Sequence, residues 1–167
     1  YLQNLILNDM IAINEVVKNL ESIWRMHKRR EALYKMAMGL DCSNSFRKIC
    51  GLGYMNALLF KKEIAMVYDM TKCSLTDGDL KVLEGPKDVE DSDFNGSNSL
   101  KQLLRNQHKN MLHYYNLLLK ELEPHHEVVI LFKDHIAKLK ELNALLDGDF
   151  TAVNFPAEVR SRKPQMA

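Results

Sequence analysis

Little in this chain points to catalysis or to a secreted scaffold. Its 167 residues include only three cysteines, four prolines and seven glycines. Cys42, Cys50 and Cys73 are odd in number and sparsely spaced, which argues against a disulfide framework. The interval between Cys42 and Cys50 is not a zinc-ribbon spacing. Free thiols in a reducing compartment, the cytoplasm, are the expectation. A start at Tyr1 rather than methionine is also compatible with a chain whose signal peptide has been removed. No apolar run reaches the roughly 20 residues of a membrane span. Charge of one sign is not in excess: 23 basic residues face 22 acidic ones, a net charge of +1. The broad basic footprint of a nucleic-acid-binding domain is thus absent. The short basic runs Lys28–Arg29–Arg30 and "RSRK" near the end read as solvated.

Chemistry-bearing motifs are scarce too. There is no phosphate-binding glycine loop, and "GLG" at 51–53 falls within a helical pattern. No Ser/His/Asp or Cys/His arrangement can be argued from spacing. Strand-like alternation of useful length is missing.

What the chain does have is helical periodicity. Ile6, Met10, Ile13, Val17, Leu20 and Trp24 recur at intervals of four and three, one face of a helix. The register continues through His27, Glu31, Tyr34 and Met38 to a stop near Gly39. This first helix either runs about 35 residues or breaks at Lys28–Arg29–Arg30. "DCSNS" offers caps for a second helix over 45–71, with the seam Phe46, Cys50, Gly53, Ala57, Phe60, Ile64 and Val67. Gly51 and Gly53 lower its helix propensity and suggest a kink or a close helix–helix approach. Residues 74–98 break the pattern, with one short helical turn expected at "DGDLKVLE" and a solvated acidic cluster at "DVEDSD". A third helix follows a cap at Ser97 or Asn98, with the seam Leu104, His108, Met111, Tyr115, Leu118 and Leu122. A fourth opens at "EPHHE", where Pro124 suits the first turn, with the seam Val129, Phe132, Ile136, Leu139 and Leu146. A pH-sensing role for His125 and His126 at that helix start is not favoured. The tail 149–167 lacks periodicity and reads as flexible.

Connection lengths choose the bundle type. Short links make helices 1 and 2 antiparallel, and likewise 3 and 4. The middle link of about 25 residues can return along a helix roughly 37 Å long. The expected fold is all-α: a four-helix bundle over residues 1–148, two antiparallel hairpins joined by a long crossover, the ferritin-like topology. An up-down bundle with an oversized loop is the alternative.

The stretch "NQHKNMLHYYNLLLKELEPHHEVVILFKDHIAKLKELNALL" resembles the second hairpin of the ferritin-like superfamily, and "LILNDMIAINEVVKNLE" the start of its first. The resemblance covers residues 2–146 and is nearest to small bacterial domains of unknown function, not to iron-storage ferritins. It implies one glutamate from each of two helices and a Glu-x-x-His from each of the others, holding iron or manganese. The chain departs from that pattern. Glu63 is followed three residues on by Met66, His135 is preceded three residues earlier by Phe132, and His113 has no glutamate beside it on its helix.

Counted from the hairpin turns, Glu21, Glu63, His113 and His135 lie within a couple of helical turns of one another. Such a cluster is a candidate site for iron, manganese or zinc. The preferred reading puts Glu21 and Glu63 at seam edges or on the surface, with His113 and His135 half-buried and hydrogen-bonded. His27 and Glu31, one turn apart, have the spacing of a hemerythrin-like His-x-x-x-Glu, but no His-x-x-x-His accompanies them. They are read as the point where the buried stripe ends and the helix becomes solvated.

Three functions follow from this reading. The favoured one is a non-catalytic bundle without the usual di-iron ligands or any cofactor, acting through a protein partner or as a homo-oligomer. The second is a metal-binding protein or di-metal enzyme with an atypical Glu/His site. The third is an adaptor that takes a partner helix in a methionine-lined groove, since nine methionines provide adaptable apolar surface.

Overall fold

A computed structural model describes residues 2–40, 42–72, 97–122 and 127–148, with side-chain environments for 13–40, 42–71, 99–122 and 127–148. Four helices account for nearly all of them: α1 (Leu2–Gly39), α2 (Asn44–Lys72), α3 (Ser97–Glu121) and α4 (Glu127–Leu146). No strand occurs among the described residues. The expected helical turn at 77–84, the acidic cluster at 88–93, Cys73, Pro124, His125, His126 and the tail from 149 lie outside them, as do the side chains of Ile6 and Met10.

Local chemistry sets the helix ends. α1 contains no proline and runs unbroken through Lys28–Arg29–Arg30 to the predicted stop at Gly39. Ser43 caps α2: its hydroxyl accepts the Phe46 amide at 3.2 Å, and its carbonyl accepts the Arg47 amide at 3.0 Å. The Arg105 side chain of α3 closes α4 by donating to the Leu146 carbonyl at 2.8 Å and pairing with Asp147 at 2.7 Å. Gly148 follows with φ of 108°, the left-handed turn that glycine tolerates best.

α1 packs against both α2 and α3, and α4 packs against the same two. The buried apolar side chains form two clusters. The larger holds Leu20, Ile23, Trp24, Phe60, Ile64, Met111, Leu118 and Phe132; the smaller holds Leu33, Ala37, Phe46, Ile49, Leu100, Leu104 and Leu146. Each large side chain fully buried there contributes about 1.5–3 kcal/mol relative to exposure. All seven predicted seam residues of α2 are buried.

The solvated end of the stripe expected at "HKRRE" is not what forms. His27 and Arg30 are fully buried, and the buried face continues to Leu33, Tyr34 and Ala37. Polar side chains stay inside here because they find partners: Arg30 bonds to His27 on its own helix, and His27 to Tyr115 of α3. Glu31 is half-buried and receives a bond from Lys61 of α2. Gly53 has a packing role: a Cβ there would lie 2.2 Å from Cζ of Tyr34, so the Tyr34 ring rests directly on the α2 backbone.

Candidate functional site

Polar side chains gather where the two apolar clusters meet. His27, Arg30, His108 and His135 are completely buried there. Burying a polar group without a partner costs on the order of 1–3 kcal/mol, so each bond has to be traced.

Arg30 Nη1 lies 2.9 Å from His27 Nδ1. A guanidinium only donates, so Nδ1 accepts and the proton of the neutral ring sits on Nε2. That Nε2–H donates to Tyr115 Oη at 2.8 Å. The Tyr115 hydroxyl then donates to His135 Nδ1 at 2.6 Å, which places the His135 proton on Nε2. His135 Nε2–H donates to Glu63 Oε2 at 2.7 Å. One polarised chain therefore runs from a buried guanidinium to a half-buried carboxylate and takes members from all four helices. A shorter branch lies one layer away. Asn143 Oδ1 accepts from His108 Nδ1 at 2.8 Å, and Tyr34 donates its hydroxyl proton to His108 Nε2 at 3.0 Å.

Ring packing holds these groups in place. Phe60 stacks on His135 with centroids 3.8 Å apart and planes at 17°. His27 meets Phe60 edge-on at 5.4 Å. Arg30 lies 5.5 Å from the face of Tyr34 and 4.0 Å from the Met111 sulfur. Its Nε and Nη2 make no hydrogen bond among the described residues.

Electrostatics agree with the assigned protons. Burial, reinforced by the Arg30 cation, holds His27 well below its ordinary value. Burial and then Arg30 push His108 down to about 3, against the Asn143 bond. Burial lowers His135, while the bond and charge of Glu63 oppose it. Burial raises Tyr115 well above its ordinary value, with Arg30 opposing. The rings stay neutral and the phenol stays protonated. Burial also pushes Cys50 up to about 12, so this thiol is unreactive, and Cys42 and Cys50 are both free.

Of the four candidate metal ligands, the structure brings Glu63 and His135 together. Glu21 lies apart, its carboxylate accepting from Tyr68 at 3.3 Å. His113 is exposed, its ring beside its own neighbour Tyr114 at 5.8 Å. No group of three or more His, Cys, Asp or Glu residues is placed to hold a metal among the described residues. Both nitrogens of His27 and both of His135 are already engaged, so a metal would have to displace one of these bonds. His27 and Glu31 are engaged separately, His27 with Arg30 and Tyr115 and Glu31 with Lys61.

Sequence reasoning missed Arg30, Asn143 and the role of Tyr115. A signal existed: Tyr34, His27, His108 and Tyr115 all occupy seam positions, so α1 and α3 carry polar tips on their apolar faces. A mainly apolar cavity of about 270 Å³ also opens beside Ile13, Leu20, Val67, Leu122 and Phe132, with Thr71 and Glu121 in its lining; none of the hydrogen-bonded residues from Arg30 to Glu63 lines it. Compared with protein-family models, with curated proteins and with solved structures, the sequence finds no match in any of the three. Among the described residues no helix is long and apolar enough to cross a membrane.

Proposed function

We propose that this chain is a non-catalytic, ferritin-like helical bundle that works through protein contacts on the outer face of α2. The ferritin-like part is supported by the helix neighbours. α1 lies beside α2 and α3, and α4 lies beside the same two. From the Tyr115 layer to the His108 layer, residue numbers rise in α1 and α4 and fall in α2 and α3. Two antiparallel hairpins with a crossover through 73–96 give this pattern.

The protein-contact part rests on one observation. Of the seven large hydrophobic residues exposed among the described residues, five lie on α2: Leu52, Met55, Leu59, Met66 and Met70. They recur at helical spacing and form one apolar stripe facing away from the core. Exposed apolar stripes of this kind mark interaction surfaces. Three methionines suit it to an adaptable contact, which is also the surface an adaptor would offer a partner helix.

A metal-binding alternative would build on the Glu63–His135 pair. It is less well supported, because iron, manganese or zinc there must break the chain from Arg30. The proposal includes a reducing compartment such as the cytoplasm, in keeping with the free thiols of Cys42 and Cys50.

The test is a photoreactive amino acid at Met55, with one at the exposed Lys109 of α3 as control, in cells making the full chain. The expected result is one dominant adduct at 55, identified by mass spectrometry and absent at 109. No adduct at 55, or the same mixture at both positions, overturns the reading.

A further inference from the structure

We infer that the partner of the α2 stripe is a second copy of this chain, docked with the two α2 helices antiparallel and crossing at Leu59. The inference rests on the protein-contact reading above and goes on to name the partner.

α2 carries two seams. One is the buried seam from Phe46 to Val67. The other runs Lys48, Leu52, Met55, Leu59, Lys62 and Met66 at alternating intervals of four and three, and Met70 extends it by one more turn. That is the 3.5-residue period of a helix pair, here pointing outward. Five of its positions are exposed apolar side chains: Met55, Met66 and Met70 are 57–61% accessible, Leu52 40% and Leu59 46%. Accessibility this high is unusual for methionine and leucine on a helix that also contributes a full core face.

The charges at the two ends of the stripe suit a second copy turned end for end. The exposed Lys48 lies near the N-terminal end of the stripe, and the exposed Asp69 beside its C-terminal end. Measured from Leu59, Lys48 is eleven positions before and Asp69 ten after; Leu52 and Met66 are each seven away. A second copy turned end for end about Leu59 therefore sets Leu59 on Leu59, Leu52 on Met66, and Lys48 beside Asp69, each contact made twice. A parallel copy would set Lys48 on Lys48 and Asp69 on Asp69, which like-charge repulsion disfavours. The stripe from Lys48 to Met70 is about 33 Å long and one helix wide, a small interface next to the ~800 Å² per partner of a standard complex. A reversible dimer in the micromolar range is the expected strength.

The experiment is sedimentation equilibrium of the purified full chain from low micromolar to near-millimolar concentration. The wild type is expected to move toward twice its 19.3 kDa mass as concentration rises. Leu59→Glu puts two carboxylates face to face at the crossing and should weaken association by about tenfold or more. Leu59 is exposed, so the variant is expected to fold, which circular dichroism is to check. Lys48→Glu should weaken the dimer, and Lys48→Glu with Asp69→Lys should restore it. A wild type that stays monomeric, or a dimer indifferent to Leu59→Glu and to the charge exchange, overturns the inference. If the monomer instead gives an identified foreign adduct at Met55, the second copy is wrong and the protein-contact reading stands. If the crosslink at Met55 joins residues 73–96 or 149–167 of the same chain, the stripe has an internal occupant and both readings fall. A monomer with no adduct at Met55 also removes both.

Discussion

Arg30 and Glu63 stand at the two ends of one hydrogen-bonded chain, with His27, Tyr115 and His135 between them. The cation is wholly buried on α1 and the carboxylate half-buried on α2. They do not touch; their charges are coupled by four bonds that all point the same way. Removing any of the three inner members leaves two neighbours unmatched.

Tyr115→Phe tests that coupling. It deletes a hydroxyl that accepts from His27 and donates to His135, stranding two buried ring nitrogens. A loss of about 2–5 kcal/mol is expected in urea unfolding. Arg30→Met removes more atoms but should cost less. It strands only His27 Nδ1, and it removes a buried cation two of whose nitrogens have no hydrogen bond among the described residues. If the arginine variant is the worse of the two, the polarised chain is not what stabilises this layer.

Gly53→Ala should destabilise the fold by about 1–3 kcal/mol, because the new methyl would enter the Tyr34 ring. Gly39→Ala meets nothing within 4 Å and should shift stability by less than about 1 kcal/mol. Thermal melts of the two variants make the comparison. Equal effects would mean that Tyr34 does not rest on the α2 backbone.

Much of this was legible in the sequence, and the limits have a physical cause. All seven seam residues of α2 are legible from the period alone, since its buried face is apolar; Ile49 and Tyr68 widen that face beyond the seam. On α1 the buried set is shifted and wider: Val16, Leu20, Ile23, Trp24, His27, Arg30, Leu33, Tyr34 and Ala37. This helix packs on two neighbours, and a single-file seam undercounts such a face. From sequence alone Arg30 reads as solvated, because charge ordinarily means water. Its relief comes from His27 one turn away and from Tyr34 and Met111, and only the latter's approach requires the fold. His135 rather than Ile136 takes the fully buried place on α4, because its ring has acceptors and donors waiting on α3 and α2. His113, five residues beyond His108, faces outward and meets none of them.

Stability should fall in acid. The folded protein keeps His27, His108 and His135 below the ordinary 6.5, so below that pH the unfolded chain binds protons that the folded one refuses. Their contribution is complete above pH 6.5 and is lost as pH drops, at about 1.4 kcal/mol per pH unit for each histidine. For His108 the loss continues down to about 3. Urea midpoints at several pH values measure the slope, and His108→Gln should reduce it by one proton. A flat profile between pH 6.5 and 5 would show that these rings are not held neutral.

The helix directions can be measured with spin labels at Ser45 and Ser99, in a variant whose native cysteines are replaced. Lys101 of α3 lies 4.9 Å from the ring of Phe46 of α2, so the first turns of both helices should be close. The labels are expected well inside the ~43 Å length of α2. A separation of that full length would rule out the crossover.

The most direct measurement is the ¹⁵N spectrum of the imidazole rings at neutral pH, before and after equilibration with zinc(II). The polarised chain predicts His27 and His135 both neutral, both protonated at Nε2 and bare at Nδ1, with no change on adding the metal. A proton on Nδ1 of either ring, or a zinc-induced shift of His135 that Glu63→Ala abolishes, would contradict it and return the core to a metal-binding role.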